Sequence, residues 1–125
     1  MRLLIDTHVF LWCVNNDRKL TKKARSKILD ADEVYVSAAS IWEATIKIRL
    51  KKLDADVDAL VEAITKSGFL ELPITARHAS AVNRLKDIHR DPFDRILIAQ
   101  ATVEPLIFLT ADNGLANYSN IIEVI

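Results

Sequence analysis

Cysteine occurs once in the 125 residues, at Cys13, so no internal disulfide can form and nothing points to an oxidising compartment. Two glycines and three prolines, with no repeats or low-complexity tracts, exclude a fibrous or disordered chain. No stretch approaches the roughly 20 consecutive apolar residues that a membrane span needs. The opening Met1-Arg2-Leu3-Leu4-Ile5-Asp6 meets an acid too early for a signal peptide. A cytoplasmic site without a membrane is therefore expected. Net charge is absent too, at a formal value of zero.

What is present is ordinary globular composition, 50% hydrophobic and 27% charged. At 14.1 kDa the chain has the size of one average domain, and a single domain over 1–125 is expected. The zero net charge hides an asymmetry: residues 1–52 carry 11 Lys+Arg against 6 Asp+Glu, and residues 53–125 carry 6 against 11. The basic excess gathers in Arg18, Lys19, Lys22, Lys23, Arg25 and Lys27, and again in Lys47, Arg49, Lys51 and Lys52. Such runs serve either as solvated helix faces or as phosphate contacts.

Continuous apolarity over Arg2–Ile5 predicts a strand buried on both faces, the mark of a central parallel strand. Helix is predicted over Thr7–Val14 and over Leu20–Ala31 with Thr21 as N-cap, then strand over the β-branched Glu33–Ser37. Ala39–Leu50 reads as a helix with Ile41, Trp42, Thr45, Ile46 and Ile48 on a broad apolar stripe. Asp56–Lys66 is a further helix, stopped by Gly68. Phe69–Ile74 reads as a third strand, and Thr75–Leu85 as a helix capped by Thr75. A helix to Val103 opens at Asp91-Pro92, where proline suits the first helical position and Asp91 the cap. Leu106–Thr110 is a fourth buried strand, and Ile121–Val124 a fifth at an edge. This alternation predicts an α/β chain: a three-layer α/β/α sandwich around a mostly parallel sheet of four to five strands.

Ligands of open parallel sheets bind beyond the carboxyl ends of the strands. Four acids fall near such positions. Asp6 follows the first strand and Asp112 lies two residues past Thr110. Glu43 is a turn or so into the helix after the second strand, and Asp94 lies in the first turn of the helix before the fourth. Each has an ordinary alternative, since Asp94 and Asp112 suit helix N-termini and Glu43 is evenly poised. Asp6 has the fewest structural reasons to end a buried strand. Clustered carboxylates repel, and a hard divalent cation relieves that repulsion. Mg²⁺ or Mn²⁺ on such a cluster orients water toward a phosphodiester.

These residues resemble the PIN-domain nucleases, and among them the toxins of VapC-type toxin–antitoxin pairs, nearly end to end. Leu3-Leu4-Ile5-Asp6-Thr7-His8 is similar to the first acidic motif of that family. Val36-Ser37-Ala38-Ala39-Ser40-Ile41-Trp42-Glu43 is similar to the second. His89-Arg90-Asp91-Pro92-Phe93-Asp94-Arg95 with Ile96-Leu97-Ile98-Ala99-Gln100-Ala101 resembles the third and is the most specific. Leu109-Thr110-Ala111-Asp112 resembles the fourth. The resemblance implies that Asp6, Glu43, Asp94 and Asp112 are catalytic metal ligands for Mg²⁺ or Mn²⁺, with Thr7 and Thr110 supporting them through hydrogen bonds. Asp94 takes the third place because the family's acid directly precedes the apolar helix, leaving Asp91 as cap. Asn113 or Asn117 stands as an alternative to Asp112. The implied activity is endoribonuclease action on RNA, the implied partners a small antitoxin and a second copy in a homodimer.

His8, His78 and His89 sit on different elements without metal spacing and read as structural or exposed. Arg95 suits either a phosphate or a structural pairing. Trp12 and Trp42 suit core packing or a patch for a partner helix. Two other enzyme classes fail on residues. A haloacid dehalogenase-type phosphatase needs an aspartate where His8 stands. A response-regulator receiver needs a phosphorylatable aspartate ending a middle strand. The remaining rival is a PIN-like binding module with a weak or inactive metal site.

Overall fold

The computed structural model describes residues 1–87 and 91–125. Its elements run β1 (Arg2–Ile5), α1 (Thr7–Asn15), α2 (Lys22–Asp30), β2 (Glu33–Ser37), α3 (Ala38–Arg49), α4 (Val57–Lys66), β3 (Leu70–Leu72), α5 (Ala76–Ala81), α6 (Pro92–Val103), β4 (Ile107–Thr110) and β5 (Ile122–Val124). Short 3-10 turns lie at Val82–Arg84 and Asn113–Leu115. The sheet has five strands in the order β3-β2-β1-β4-β5, and every neighbouring pair is parallel.

Side chains alternate across β1, so one strand serves two cores. Leu3 and Ile5 join Val9 and Phe10 of α1, Ala24 of α2 and Leu60 and Ile64 of α4. Leu4 joins Leu97 and Ile98 of α6 and Phe108 of β4 on the other side. Helices therefore cover both faces, which is why β1 and β4 show no polar alternation. Leu4 is fully buried, and its truncation to alanine is worth about 2–5 kcal/mol of stability.

All six α-helices begin on a side-chain cap: Asp6, Thr21, Ser37, Asp56, Thr75 and Asp91. Each contributes roughly 1 kcal/mol by satisfying an otherwise unpaired N–H. Gly68 ends the α4 segment at φ +79°, a conformation that a side chain disfavours.

The structure departs from the pattern in three places. The third strand is only Leu70–Leu72 rather than Phe69–Ile74, because Pro73 brings no N–H to a ladder. The segment after Thr75 is α-helical only to Ala81 and then tightens into the 3-10 turn. In α3 the fully buried residues are the small Ala39, Ser40 and Ala44, whereas Trp42, Ile46 and Leu50 lie exposed at i, i+4 and i+8. Among the described residues no helix is long and apolar enough to cross a membrane.

Candidate functional site

Parallel register sets the site. Ile5 of β1 lies beside Leu109 of β4, so Asp6 and Thr110 leave the sheet side by side at its carboxyl edge. The Asp6 N–H still donates to the Leu109 carbonyl at 3.0 Å. The Thr110 hydroxyl donates to Asp6 Oδ2 at 2.6 Å, and the Ala111 N–H reaches the same oxygen at 3.3 Å. Asp6 Oδ1 accepts the Val9 N–H at 2.8 Å. Asp6 thus caps α1, a structural task that corrects the expectation of few structural reasons for an acid there. Only 4% of Asp6 is exposed. Burial pushes its carboxyl above the ordinary 3.8, against the opposing pull of the Thr110, Val9 and Ala111 hydrogen bonds and of His8.

Thr110 also accepts the Asp112 N–H at 3.1 Å, so one hydroxyl links the two acidic positions. Asp112 Oδ1 accepts the Gly114 N–H at 2.8 Å and caps the following 3-10 turn. Glu43, in the second turn of α3, places Oε2 3.2 Å from Lys47 Nζ. Asp94 lies in the first turn of α6, where Asp91 Oδ1 accepts the Phe93 and Asp94 N–H groups at 2.8 and 3.3 Å. The Thr7 hydroxyl turns to Ser40 Oγ of α3 at 3.0 Å rather than to an acid.

A cleft of about 470 Å³ is lined by Asp6, Glu43, Asp94 and Asp112 together with Thr7, Asp91 and Ala111. His8, Trp12 and Lys19 complete its lining. Their part was not read from the sequence, although the signal was there: His8 and Trp12 stand one turn apart on the helix that Asp6 opens. Ser40 and Lys47 were likewise missed as partners of Thr7 and Glu43.

The donor chemistry suits a hard divalent cation, because the four acids offer only oxygen. Asp6 accepts three hydrogen bonds, which leaves roughly one of a carboxylate's four lone-pair positions. It has no ion pair among the described residues, so its burial is a cost that a cation would relieve. The set is not preassembled: among the described residues no group of three or more His, Cys, Asp or Glu is arranged to hold a metal ion.

The other candidates resolve mostly into structure. His78 is buried and forms a capping box with Thr75, and its Nε2 meets Glu104 Oε2 at 2.5 Å. Arg95 donates to the Val82 and Lys86 carbonyls at 3.2 and 2.9 Å. His89, with Arg90 of the third motif, lies outside the described residues. Of the basic runs, Arg25 bonds the Asp17 and Leu20 carbonyls, Lys27 pairs with Glu123 and Lys47 with Glu43.

A family model described as PIN domain matches residues 3–121. No curated protein matches the chain by sequence. Among solved structures it is similar to VapBC2 from Rickettsia felis bound to a promoter DNA fragment, with a TM-score of 0.72 at 14% identity over 99% of this chain and 98% of that one. It is similar to DNA-bound VapBC from Salmonella typhimurium, with a TM-score of 0.71 at 15% identity over 99% and 98%. It is also similar to VapC20 of Mycobacterium tuberculosis, described as a Sarcin-Ricin loop cleaving toxin, with a TM-score of 0.62 at 15% identity over 94% and 96%. At such identities the likeness is one of fold.

Proposed function

Because the chain belongs to the PIN-domain family, whose usual activity is nucleolytic, we propose that it is a divalent-metal-dependent endoribonuclease and the toxin of a toxin–antitoxin pair. The observation that carries this reading is the common cleft: Asp6, Glu43, Asp94 and Asp112 come from four separate segments and line one cavity. In this reading those four hold Mg²⁺ or Mn²⁺. The cation, when bound, supplies charge neutralisation at the scissile phosphate and activation of water. Thr110 orients Asp6 through its hydroxyl and tethers Asp112 through the same oxygen. Asp91 fixes the first turn of α6 and with it the backbone of Asp94. Lys47 holds Glu43 until metal competes for the carboxylate.

A small antitoxin and a second copy of the chain are the proposed partners, and the cytoplasm the proposed site. The similar solved structures from Rickettsia felis and Klebsiella pneumoniae are toxin–antitoxin complexes. The exposed Trp42, Ile46 and Leu50 stripe supports a macromolecular partner, since contiguous apolar surface of this kind gains by being covered.

Total cellular RNA incubated with wild type and Asp6→Asn, each with Mn²⁺ or with a chelator, tests the nuclease. Cleavage by wild type with Mn²⁺ alone is expected, and equal cleavage by both proteins removes the claim. A PIN-like binding module is the second reading, favoured by the lack of a preassembled acidic group among the described residues. RNA or antitoxin binding without cleavage under any metal would select it.

A further inference from the structure

His8, Trp12 and Lys19 line the acidic cleft without a task in the proposed hydrolysis. In the segment Val9-Phe10-Leu11 the apolar side chains are buried, while His8 just before them is exposed and Trp12 just after them is half-buried. The spacing of four places both rings on one face of α1. Their centroids are 6.4 Å apart at an interplanar angle of 37°. Trp12 rests partly on the core formed with Leu3 and Ile5, so its ring is ordered before any ligand arrives and little is lost in fixing it.

Lys19 sits on the turn between α1 and α2, which is itself braced. The Leu20 N–H donates to the Asp17 carbonyl at 3.1 Å, the Lys19 N–H to Asp17 Oδ1 at 2.9 Å, and Arg25 donates to the Asp17 and Leu20 carbonyls. The Lys19 ammonium has no ion pair among the described residues, unlike Lys27 and Lys47. It is therefore free for an anion. Elsewhere the lining is rich in carboxylates, which repel a polyanion until they are neutralised. Aromatic faces together with a cation in one groove are an arrangement by which proteins hold unpaired nucleotides.

We propose that His8, Trp12 and Lys19 form a nucleotide-binding rim, the two rings stacking an unpaired base of single-stranded RNA while Lys19 takes an adjoining phosphate. This rests on RNA being the substrate and adds that the cleft selects an unstacked base over a paired one. A base in a duplex is already stacked on both faces and cannot occupy the rings without being pulled out at a cost.

The test uses the full chain in a Trp42→Phe background, so that Trp12 is the sole tryptophan, with Ca²⁺ in place of Mg²⁺ or Mn²⁺ to neutralise the carboxylates and phosphorothioate-linked probes to hold back cleavage. Three probes are titrated by fluorescence: a single-stranded RNA hexamer, an abasic ribose–phosphate hexamer and the duplex of the first. Saturable quenching by the single strand alone is expected, with affinity lower by on the order of tenfold in His8→Ala and in Lys19→Gln. Trp12→Phe and Trp12→Leu, which have no tryptophan in this background, are titrated by the anisotropy of an end-labelled hexamer: Phe should keep most of the affinity and Leu lose it, with thermal melting confirming that both fold. Equal binding of the abasic probe, equal quenching by duplex, or unchanged affinity in His8→Ala overturns the proposal. Cleavage by wild type that is indifferent to these variants would sink the rim and leave the nuclease standing. Quenching by single strand with no cleavage under any metal would support the rim and sink the nuclease.

Discussion

The Thr110 hydroxyl donates to Asp6 Oδ2 at 2.6 Å across the junction of β4 and β1, and both side chains are buried. A buried carboxylate oxygen that loses such a donor costs about 1–3 kcal/mol. Thr110→Val, nearly equal in volume, is expected to lower the melting temperature by several degrees and to reduce RNA cleavage. Thr110→Ser should retain both, because the hydroxyl is the relevant group. Differential scanning calorimetry with a cleavage assay checks this, and a Val variant as stable and active as wild type would contradict it.

Asp6 sets a pH dependence whose sign follows from its raised carboxyl. The folded protein binds this proton more tightly than the unfolded chain does. The contribution is therefore stabilising below the ordinary value of 3.8 and is lost as pH rises through the higher folded value. Whenever it is ionised, the buried Asp6 is a cost. Asp6→Asn keeps an oxygen for the Val9 N–H but sets its amide NH₂ against the Thr110 hydroxyl and the Ala111 N–H. Its melting temperature therefore reports the lost bonds together with the lost charge. The pH-dependent part is the test, and wild type should gain on Asp6→Asn as pH falls from 7 toward 4. Added Mn²⁺ should raise the melting temperature of wild type at pH 7 and not that of Asp6→Asn. Equal Mn²⁺ shifts in both would refute Asp6 as a ligand.

Lys47 and Glu43 form a half-buried i, i+4 pair at 3.2 Å. Such a pair stabilises a helix by only about 0.2–0.5 kcal/mol. Lys47→Gln should scarcely change stability, yet it releases Glu43 into the cleft and should lower the Mn²⁺ concentration needed for half-maximal cleavage. An unchanged or higher requirement would show that Lys47 does not compete with the metal for Glu43.

A Cβ built on Gly114 would stand 3.1 Å from Asp112 Oδ1, closer than ordinary van der Waals contact. Gly114→Ala should push the Asp112 carboxylate by a few tenths of an ångström and cut cleavage several-fold with little loss of stability. If Asp112 has no part in the site, the variant will cleave as wild type does.

Strand and helix positions were largely legible because local rules decide them. Burial on both faces makes β1 and β4 continuous apolar runs, and caps such as Thr21, Thr75 and Asp91 act within three residues of themselves. The face of α3 was legible only in part: Ile41 and Ile48 of the expected stripe pack on the core, whereas Trp42 and Ile46 are exposed. Apolar spacing favoured a stripe containing Trp42 and Ile46, but α3 packs near both α1 and α6, and close approach of helices selects small side chains at the contact. Ala39, Ser40 and Ala44 take that place. Trp42 instead lays its ring against the edge of Phe93 at 5.1 Å.

By itself the sequence determined the α/β class, the caps at Thr21, Thr75 and Asp91 and which acids follow strands, since each of these depends on neighbours in the chain. Tertiary structure alone decided how those acids stand toward one another. The Ile5–Leu109 register puts Thr110 on Asp6, the packing of α3 turns Thr7 to Ser40, and Lys47 takes up Glu43. Only in the folded chain, too, do His8, Trp12 and Lys19 reach the same cleft as the four acids, because a braced turn between α1 and α2 sets where Lys19 stands. Spacing along the chain carries the periodicity of one helix or strand, whereas distances between elements depend on register and packing.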